Sequence, residues 1–551
     1  MYKFSFALLL LGSVSLTFAQ QSPTTTFKKS AELVTIPVVV TDKAGNPIRG
    51  LTRDNFIIHE NGKITRSVGT FEAIEIPPAT AKPNTRLLPV GEYSNFAVSG
   101  ATPSRITVVV LDMINTPFTS QARLRKELLK FLAKNLRGDE PTALLTIGRN
   151  GVKQIHPFTN DPQLLVKALQ KVSGTPSNMD LNETVLDNPS DPSTLTDEEQ
   201  QLEDFQRDTV AAENSFYQKN AIFDTMAALE QIAQAYSGLP GRKILLWASA
   251  GFPFLLEDPK SIIGMNTDMV DSYERAWRAL NAANIAVYPI DSEGLINPTY
   301  GAFDVTKRNA PNIGPARLGR PPAYNRYLET RATMQSFADA TGGKPCLDRN
   351  DLATCFDLAE KDSGSYYMLG YYLPEEDRTP GWHKLKVTVN TKHVHVRARS
   401  GFYVPDRSRP ANESLKAELS NAFSSPLDYT GLQLFARWVG RKNDTKVAGH
   451  IKATFEVAIL GSALTIDPGD NNHVNFEVAA VAYDEQGKIV GSVSKSIDGH
   501  LKPENAENIR KEGLRYQDEI GLPIGKYTMK LVVRDNLAAK MGSVTVPVSV
   551  N

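Results

Sequence analysis

The sequence predicts a Rossmann-like, doubly wound α/β unit set inside a β unit and followed by an immunoglobulin-like C-terminal sandwich. Three observations carry this. Continuous apolar runs such as Arg105–Leu111 (RITVVVL) and Lys243–Trp247 (KILLW) alternate with segments of helical spacing, as buried parallel strands joined by helices do. Stretches rich in β-branched residues lie on both sides of that region. Beyond about residue 428, short apolar runs recur between polar turns.

Length and composition set the outer limits. A chain of 551 residues exceeds what one hydrophobic core organises. Charged residues at 22% and hydrophobic residues at 41% exclude wholesale disorder and fibrous repeats. Lys+Arg and Asp+Glu are both 61, so no global charge draws the chain to nucleic acid or anionic lipid. Two cysteines exclude a disulfide-dense scaffold and any four-cysteine zinc or iron–sulfur site.

The N-terminus has the three parts of a secretory signal over residues 1–19. Lys3 is the positive region, Phe4–Leu16 is the apolar run, and Thr17-Phe18-Ala19 is a small-residue cleavage box. The run is shorter than the ~20 residues a membrane span needs. The expected product is secreted or periplasmic, with no span in the mature chain. Cys346 and Cys355, nine positions apart, suit that compartment and are expected to form a local disulfide.

The N-terminal β unit occupies residues 30–76. Glu32–Thr41 is its first strand, and Asp42-Lys43-Ala44-Gly45-Asn46-Pro47 turns the chain. Phe56–His59 and Ile64–Phe71 form a hairpin around Glu60-Asn61-Gly62-Lys63. Pro77–Pro103 holds five prolines and is a linker. The α/β unit spans 104–343. Its strands are Arg105–Leu111, Thr142–Ile147, Lys243–Trp247 and Ile285–Ile290. Its helices are Gln121–Leu136, Pro162–Val172, Ala221–Tyr236, Asp271–Ala283 and Arg326–Thr341. Two insertions interrupt it and are expected to be solvated loops. Gly174–Asn214 carries eleven acidic residues against Arg207, and Pro298–Arg326 is basic. If they meet, they would form a salt-sensitive lid over the strand ends. A second β block, 365–405, is expected to pair with 30–76. Within it, His383–Asn390 and His393–Arg399 read as a hairpin. The sandwich of short strands covers 428–551.

In an open α/β sheet, ligands gather at the carboxyl ends of the strands. Here that end of the first strand reads Leu111-Asp112-Met113-Ile114-Asn115-Thr116. An Asp followed four residues later by a hydroxyl resembles the metal-ion-dependent adhesion motif Asp-x-Ser-x-Ser of von Willebrand factor type A (VWA) domains. The order of strands and helices over 104–343 resembles that fold too. The blocks VVVTDKAGNPIRGLTRDNFIIHENGK, GRKILLWASAGFP and YYMLGYYLPEEDRTPGWHKLKVTVNTKHVHVRARSGFYVP extend the resemblance over residues 30–405. They look like secreted bacterial proteins carrying a VWFA-related domain, a family abundant in Acidobacteria.

Carried over residue by residue, the metal site is degenerate. Asp112 and Thr116 match the first and last motif positions, and Ile114 stands where the first serine should. The second-loop threonine falls at Asn220, and the third-loop aspartate falls at Ala250 beside Ser249. The resemblance therefore implies at most weak Mg²⁺ or Ca²⁺ binding through Asp112 and Thr116, because a hard cation wants six or more oxygens. Without an ion, Asp112 would cap loop amides. No cofactor is expected.

Catalytic patterns are thinner. Trp247-Ala248-Ser249-Ala250-Gly251 is half of a G-x-S-x-G elbow, without its first glycine and without a helix after it. His393 and His395 would share a strand face with His383 across the hairpin, a transition-metal arrangement or simply an exposed face. Glu375 and Glu376 read as a solvated turn. The favoured function is non-enzymatic recognition of a protein or a cell-surface polymer through the loops around Asp112, Asn220 and Ser249. A secreted serine hydrolase using Ser249 and a structural envelope-assembly component stand as alternatives.

Overall fold

The computed structural model describes residues 32–75, 89, 91–95, 106–134, 140–177, 196–251, 267–292, 294, 322–349, 351, 353–404, 411–445 and 447–550. The leader at 1–19, residues 178–195 of the acidic insertion and 298–321 of the basic one lie outside these residues, and with them the lid. Five strands come first: β1 (Glu32–Thr41), β2 (Phe56–Glu60), β3 (Ile64–Arg66), β4 (Thr70–Glu75) and β5 (Glu92–Ser94).

The α/β part follows. It runs β6 (Ile106–Asp112), α1 (Phe118–Lys134), β7 (Thr142–Gly148), β8 (Gly151–Thr159), α2 (Pro162–Gln170) and α3 (Asp197–Ala235). It continues through β9 (Lys243–Ser249), α4 (Thr267–Ala282), β10 (Ile285–Asp291), α5 (Pro322–Thr341) and α6 (Ala353–Gly364). The sheet order is β10-β9-β6-β7-β8. Its first four strands are parallel, and β8 returns antiparallel along β7. Every residue of β6, β9 and β10 is buried, as a sheet covered on both faces requires. Alternation along β6 divides the core. Ile106, Val108 and Val110 pack with Met226, Leu229, Trp277 and Phe337 of α3, α4 and α5. Val109 and Leu111 pack with Leu124, Leu128, Leu165 and Phe356 of α1, α2 and α6. Each fully buried Leu, Ile or Val contributes about 1.5–3 kcal/mol.

Two expectations need correction here. α3 begins at Asp197 rather than Ala221, so the second half of the acidic insertion is helix, not loop. A capping box starts it: Thr196 Oγ accepts from the Glu199 amide, and Glu199 accepts from the Thr196 amide. Asp197, Glu198 and Glu199 then fill a first turn that favours negative charge. The basic insertion likewise ends inside α5, which starts at Pro322.

The chain continues with β11 (Ser365–Leu373), β12 (Gly381–Val389), β13 (His395–Ala398) and β14 (Gly401–Val404). These join the N-terminal strands in two sheets, β13-β1-β11-β4 and β14-β12-β2-β3. β1 runs antiparallel to β11 from Glu32↔Leu373 to Val38↔Tyr367, and β2 pairs with β12. Ile36, Val38, Phe56, Ile58, Leu369 and Tyr371 share the core between the sheets. The expected hairpin of His383–Asn390 with His393–Arg399 does not form. β12 bonds to β2 and β14 while β13 bonds to β1, so the chain changes sheets between them. His393 sits in that crossover at φ 61°.

The remaining elements are α7 (Ala411–Ser424), β15 (Leu434–Asn443), β16 (His450–Ile459), β17 (His473–Tyr483) and β18 (Ile489–His500). After them come α8 (Pro503–Glu512), β19 (Leu514–Pro523), β20 (Gly525–Asp535) and β21 (Lys540–Val550). Two sheets, β19-β16-β15-β5 and β18-β17-β20-β21, enclose one core. β5 comes from the proline-rich linker, which is therefore not merely a tether. The buried Asn95 fixes it: its amide donates to the Tyr429 and Leu432 carbonyls, and its oxygen accepts from the Leu434 amide. The same region docks on α3, where Thr430 donates from both its amide and its hydroxyl to the Ala235 carbonyl. A Cβ on Gly238 would fall 1.7 Å from the Thr430 oxygen, so glycine is needed for this approach. Among the described residues, no helix is long and apolar enough to cross a membrane.

Cys346 and Cys355 are bridged, with Cα atoms 5.7 Å apart. Cys346 bonds alongside β10, its amide donating to Pro289 and its carbonyl accepting from Asp291. Cys355 lies on α6, so the bridge fastens that helix to the sheet edge. A loop this short contributes roughly 2–3 kcal/mol through chain entropy. Cys346→Ser paired with Cys355→Ser is expected to lower stability by that amount in chemical denaturation. Two titratable thiols in the unfolded, unreduced chain would overturn the bridge.

Candidate functional site

The carboxyl ends of β6 and β9 meet at Asp112, which is fully buried. The chain must turn sharply after β6 to enter α1, and Asp112 holds that turn. Oδ1 accepts from the amides of Ile114 (3.2 Å) and Asn115 (3.1 Å). Oδ2 accepts from the Asn115 side-chain amide (2.8 Å), the Ser249 hydroxyl (2.8 Å) and the Trp247 indole (3.2 Å). Asn115 also donates to Thr225 Oγ on α3, 2.8 Å away. Burial is the largest influence on Asp112 and raises its carboxyl above the usual range; the donors from Asn115, Ser249 and Trp247 oppose it.

Thr116 is also buried, and its hydroxyl accepts from the Ala250 amide at 3.1 Å. Ser249 Oγ donates to Asp112 and accepts from the Gly251 amide at 2.8 Å. Gln121 ties α1 to the loop, donating to the Thr116 and Thr175 carbonyls. Asp112, Thr116 and Ser249 are thus one hydrogen-bonded cluster. Asn220 is a correction: it lies exposed within α3, not in a loop. Thr225, more than a turn further on, reaches the cluster instead. Sequence reading missed Thr225, Trp247 and Asn115. Asn115 and Trp247 were signalled only by their places inside the quoted loop and the quoted elbow, and Thr225 had no signal.

A divalent cation does not fit these residues. A carboxylate offers about four lone-pair directions, and five donors already converge on Asp112. Ile114 and Ala250 bring no side-chain oxygen, and the Thr116 hydroxyl is engaged. Millimolar Mg²⁺ or Ca²⁺ is therefore expected to leave the melting temperature unchanged, whereas a ligand at ~100 times its Kd would add about 2.7 kcal/mol. A clear upward shift with Mg²⁺ would sink this expectation.

The histidine arrangement also needs correction. His383 is buried in the β sandwich, with Nδ1 2.6 Å from Glu60 Oε1 and Nε2 2.7 Å from the Thr379 carbonyl. His395 is exposed on β13, in the other sheet, and His393 precedes that strand. Glu60 is completed by Arg66 at 2.6 Å and Tyr371 at 3.2 Å, and Arg66 also pairs with Asp377 at 2.8 Å. Glu375 and Glu376 lie exposed in a short 3₁₀ turn.

A cavity of about 950 Å³ opens beside the Asp112 loop, bounded by Met113, Ile114, the β7–β8 turn and α2. No family model matches the chain, and no curated protein matches it. Similar solved structures include a putative beta-galactosidase from Bacteroides fragilis, at 13% identity and a TM-score of 0.15 over 34% of this chain. Others are a glycosyl hydrolase family 2 member from Bacteroides cellulosilyticus (8%, 0.15, 34%) and a Bacteroides uniformis beta-glucuronidase (10%, 0.15, 34%). The matches span 23%, 20% and 19% of those chains, about a fifth of their length. Likeness at that level carries no argument about this protein.

Proposed function

We propose that this chain is a secreted, non-enzymatic recognition protein whose VWA-like α/β unit binds a protein or a cell-surface polymer at the carboxyl edge of its parallel sheet. One observation carries the reading. Asp112 and Ser249 are spent on holding the edge loops rigid, while a wide cavity opens beside them. A preorganised loop beside an open cleft suits recognition. The strand order, with four parallel strands and an antiparallel edge strand, supports the VWA-like assignment made from sequence.

A serine hydrolase using Ser249 is disfavoured. Its hydroxyl is fully buried and donates to a carboxylate rather than to a histidine. A panel of generic ester and peptide substrates should show no turnover that Ser249→Ala abolishes. Capture of envelope material by the immobilised full chain tests the recognition reading, with Phe118→Asp as the edge variant. Phe118 starts α1 at this edge and is 52% exposed. Material retained by the parent chain should be lost by the variant. Serine-dependent turnover, or retention indifferent to Phe118, would overturn the proposal.

A further inference from the structure

The cavity beside the Asp112 loop has an unbalanced charge. Arg149 in the β7–β8 turn, Lys153 on β8, Lys167 on α2 and Lys171 just after it all line the cavity, and all four are exposed. Among the described residues none of the four is paired with a carboxylate, and no Asp or Glu lines the cavity. The chain as a whole carries no net charge, so this concentration is local. Like charges brought together around a concave, low-dielectric wall cost stability and focus a positive field into the cleft. No carboxylate of the described residues offsets it, so an anionic ligand is what the cleft is suited to accept.

The rest of the lining narrows the ligand. Met113, Ile114, Ile155, Leu164 and Val172 give the cleft an aliphatic wall, and it contains no Phe, Tyr or Trp. Nucleic-acid bases are held by stacking on successive aromatic faces, and His156 is the one aromatic ring among the described lining residues. Asn150 and Gln154 add side-chain amides, each able to donate to and accept from a peptide main chain. About 950 Å³ lies at the upper end of small-ligand pockets and accommodates several side chains.

We propose that this cleft binds an acidic, aliphatic peptide segment of a partner protein. Its carboxylates would meet Arg149, Lys153, Lys167 and Lys171, and its apolar side chains would lie on the aliphatic wall. The proposal rests on the reading of the carboxyl edge as the binding face and gives that face a ligand chemistry.

The test uses the full chain and a fluorescein-labelled peptide alternating aspartate with leucine, followed by anisotropy at low salt. Binding is expected, with affinity falling about tenfold or more at high salt, as contacts made by several cations require. Lys167→Gln with Lys171→Gln, and separately Arg149→Gln with Lys153→Gln, should each weaken binding by about tenfold. Melting temperatures should not fall, because the four side chains are exposed and each pair removed relieves like-charge repulsion. The two pairs lie on different elements, so a folding defect in one leaves the other decisive. A peptide with lysine in place of aspartate should not bind. Absence of binding at low salt, or binding by both double variants as tight as that of the parent chain, overturns the proposal. Tighter binding of a heparin-derived oligosaccharide, released by the same variants, also overturns it, because the ligand would then be a sulfated polymer. Envelope capture that still depends on Phe118 while the peptide fails would sink this inference alone. Peptide binding without Phe118-dependent capture would sink the recognition reading instead.

Discussion

Asp112→Ala is expected to cost about 3–5 kcal/mol, the largest loss from any single change at the candidate site. Alanine strands five donors at once: two backbone amides, the Asn115 amide, the Ser249 hydroxyl and the Trp247 indole. Each buried donor left without a partner costs about 1–3 kcal/mol, discounted where the loop can relax and water can enter. Ser249 and Trp247 lie in β9, so the damage crosses from the β6 loop to the neighbouring strand. Asp112→Asn should cost less, because one oxygen still accepts while its NH₂ faces a donor. Global unfolding of a multi-domain chain averages over several cores. Hydrogen exchange of the β6 and β9 amides reads the effect locally. Protection reduced by less than about 1 kcal/mol in the alanine variant would show that the carboxylate does not hold the edge together.

What the sequence made legible follows from how local each signal is. β6 and β9 could be read because an unbroken apolar run has few other uses in a chain with this composition. β8 had a signal too, the Asn150-Gly151 pair, with Gly151 at φ 83°, but it starts three positions past Ile147, where the apolar run ended the reading. The length of α3 was obscured by its charge. Eleven acidic residues suggest solvent, although Thr196 and Glu199 spell a helix start. The change of sheet between β12 and β13 could not be read locally at all. It depends on β2 and β1, more than 300 residues earlier in the chain. The site divides the same way. Asp112 and its neighbours stand in one short loop, whereas Thr225 and Trp247 arrive from 110 and 135 positions away. Asn220 was placed by a family pattern that assumes a loop, and here the helix continues through that position.

The second large effect is a dependence on pH that begins at Lys243. This residue opens β9 and is 1% exposed, with its amine donating to the Leu239 (2.6 Å) and Gly241 (3.1 Å) carbonyls. Burial pushes its pKa down to about 7. A neutral amine has two N–H groups, and the two carbonyls use both, so the uncharged form is well accommodated. In the unfolded chain the pKa returns to about 10.4. The folded pKa is the lower one, so the unfolded state binds the extra proton between about pH 7 and pH 10. Stability therefore rises with pH across that window by up to about 1.4 kcal/mol per pH unit from this residue alone. The contribution is fully present above the unfolded pKa and is lost as pH falls through the folded one. Lys530, lowered to about 8 by burial, adds a second contribution of the same sign that begins higher. Lys243→Met leaves two carbonyls without a donor and should be less stable at alkaline pH by about 1–3 kcal/mol. Its slope carries the decision, because every other titrating group is common to both proteins. The stability of the parent relative to the variant should rise steadily from pH 7 to about pH 9 and stay constant below pH 7. Parallel curves across that range would mean that Lys243 is charged in the folded protein, and the buried neutral amine would have to be abandoned.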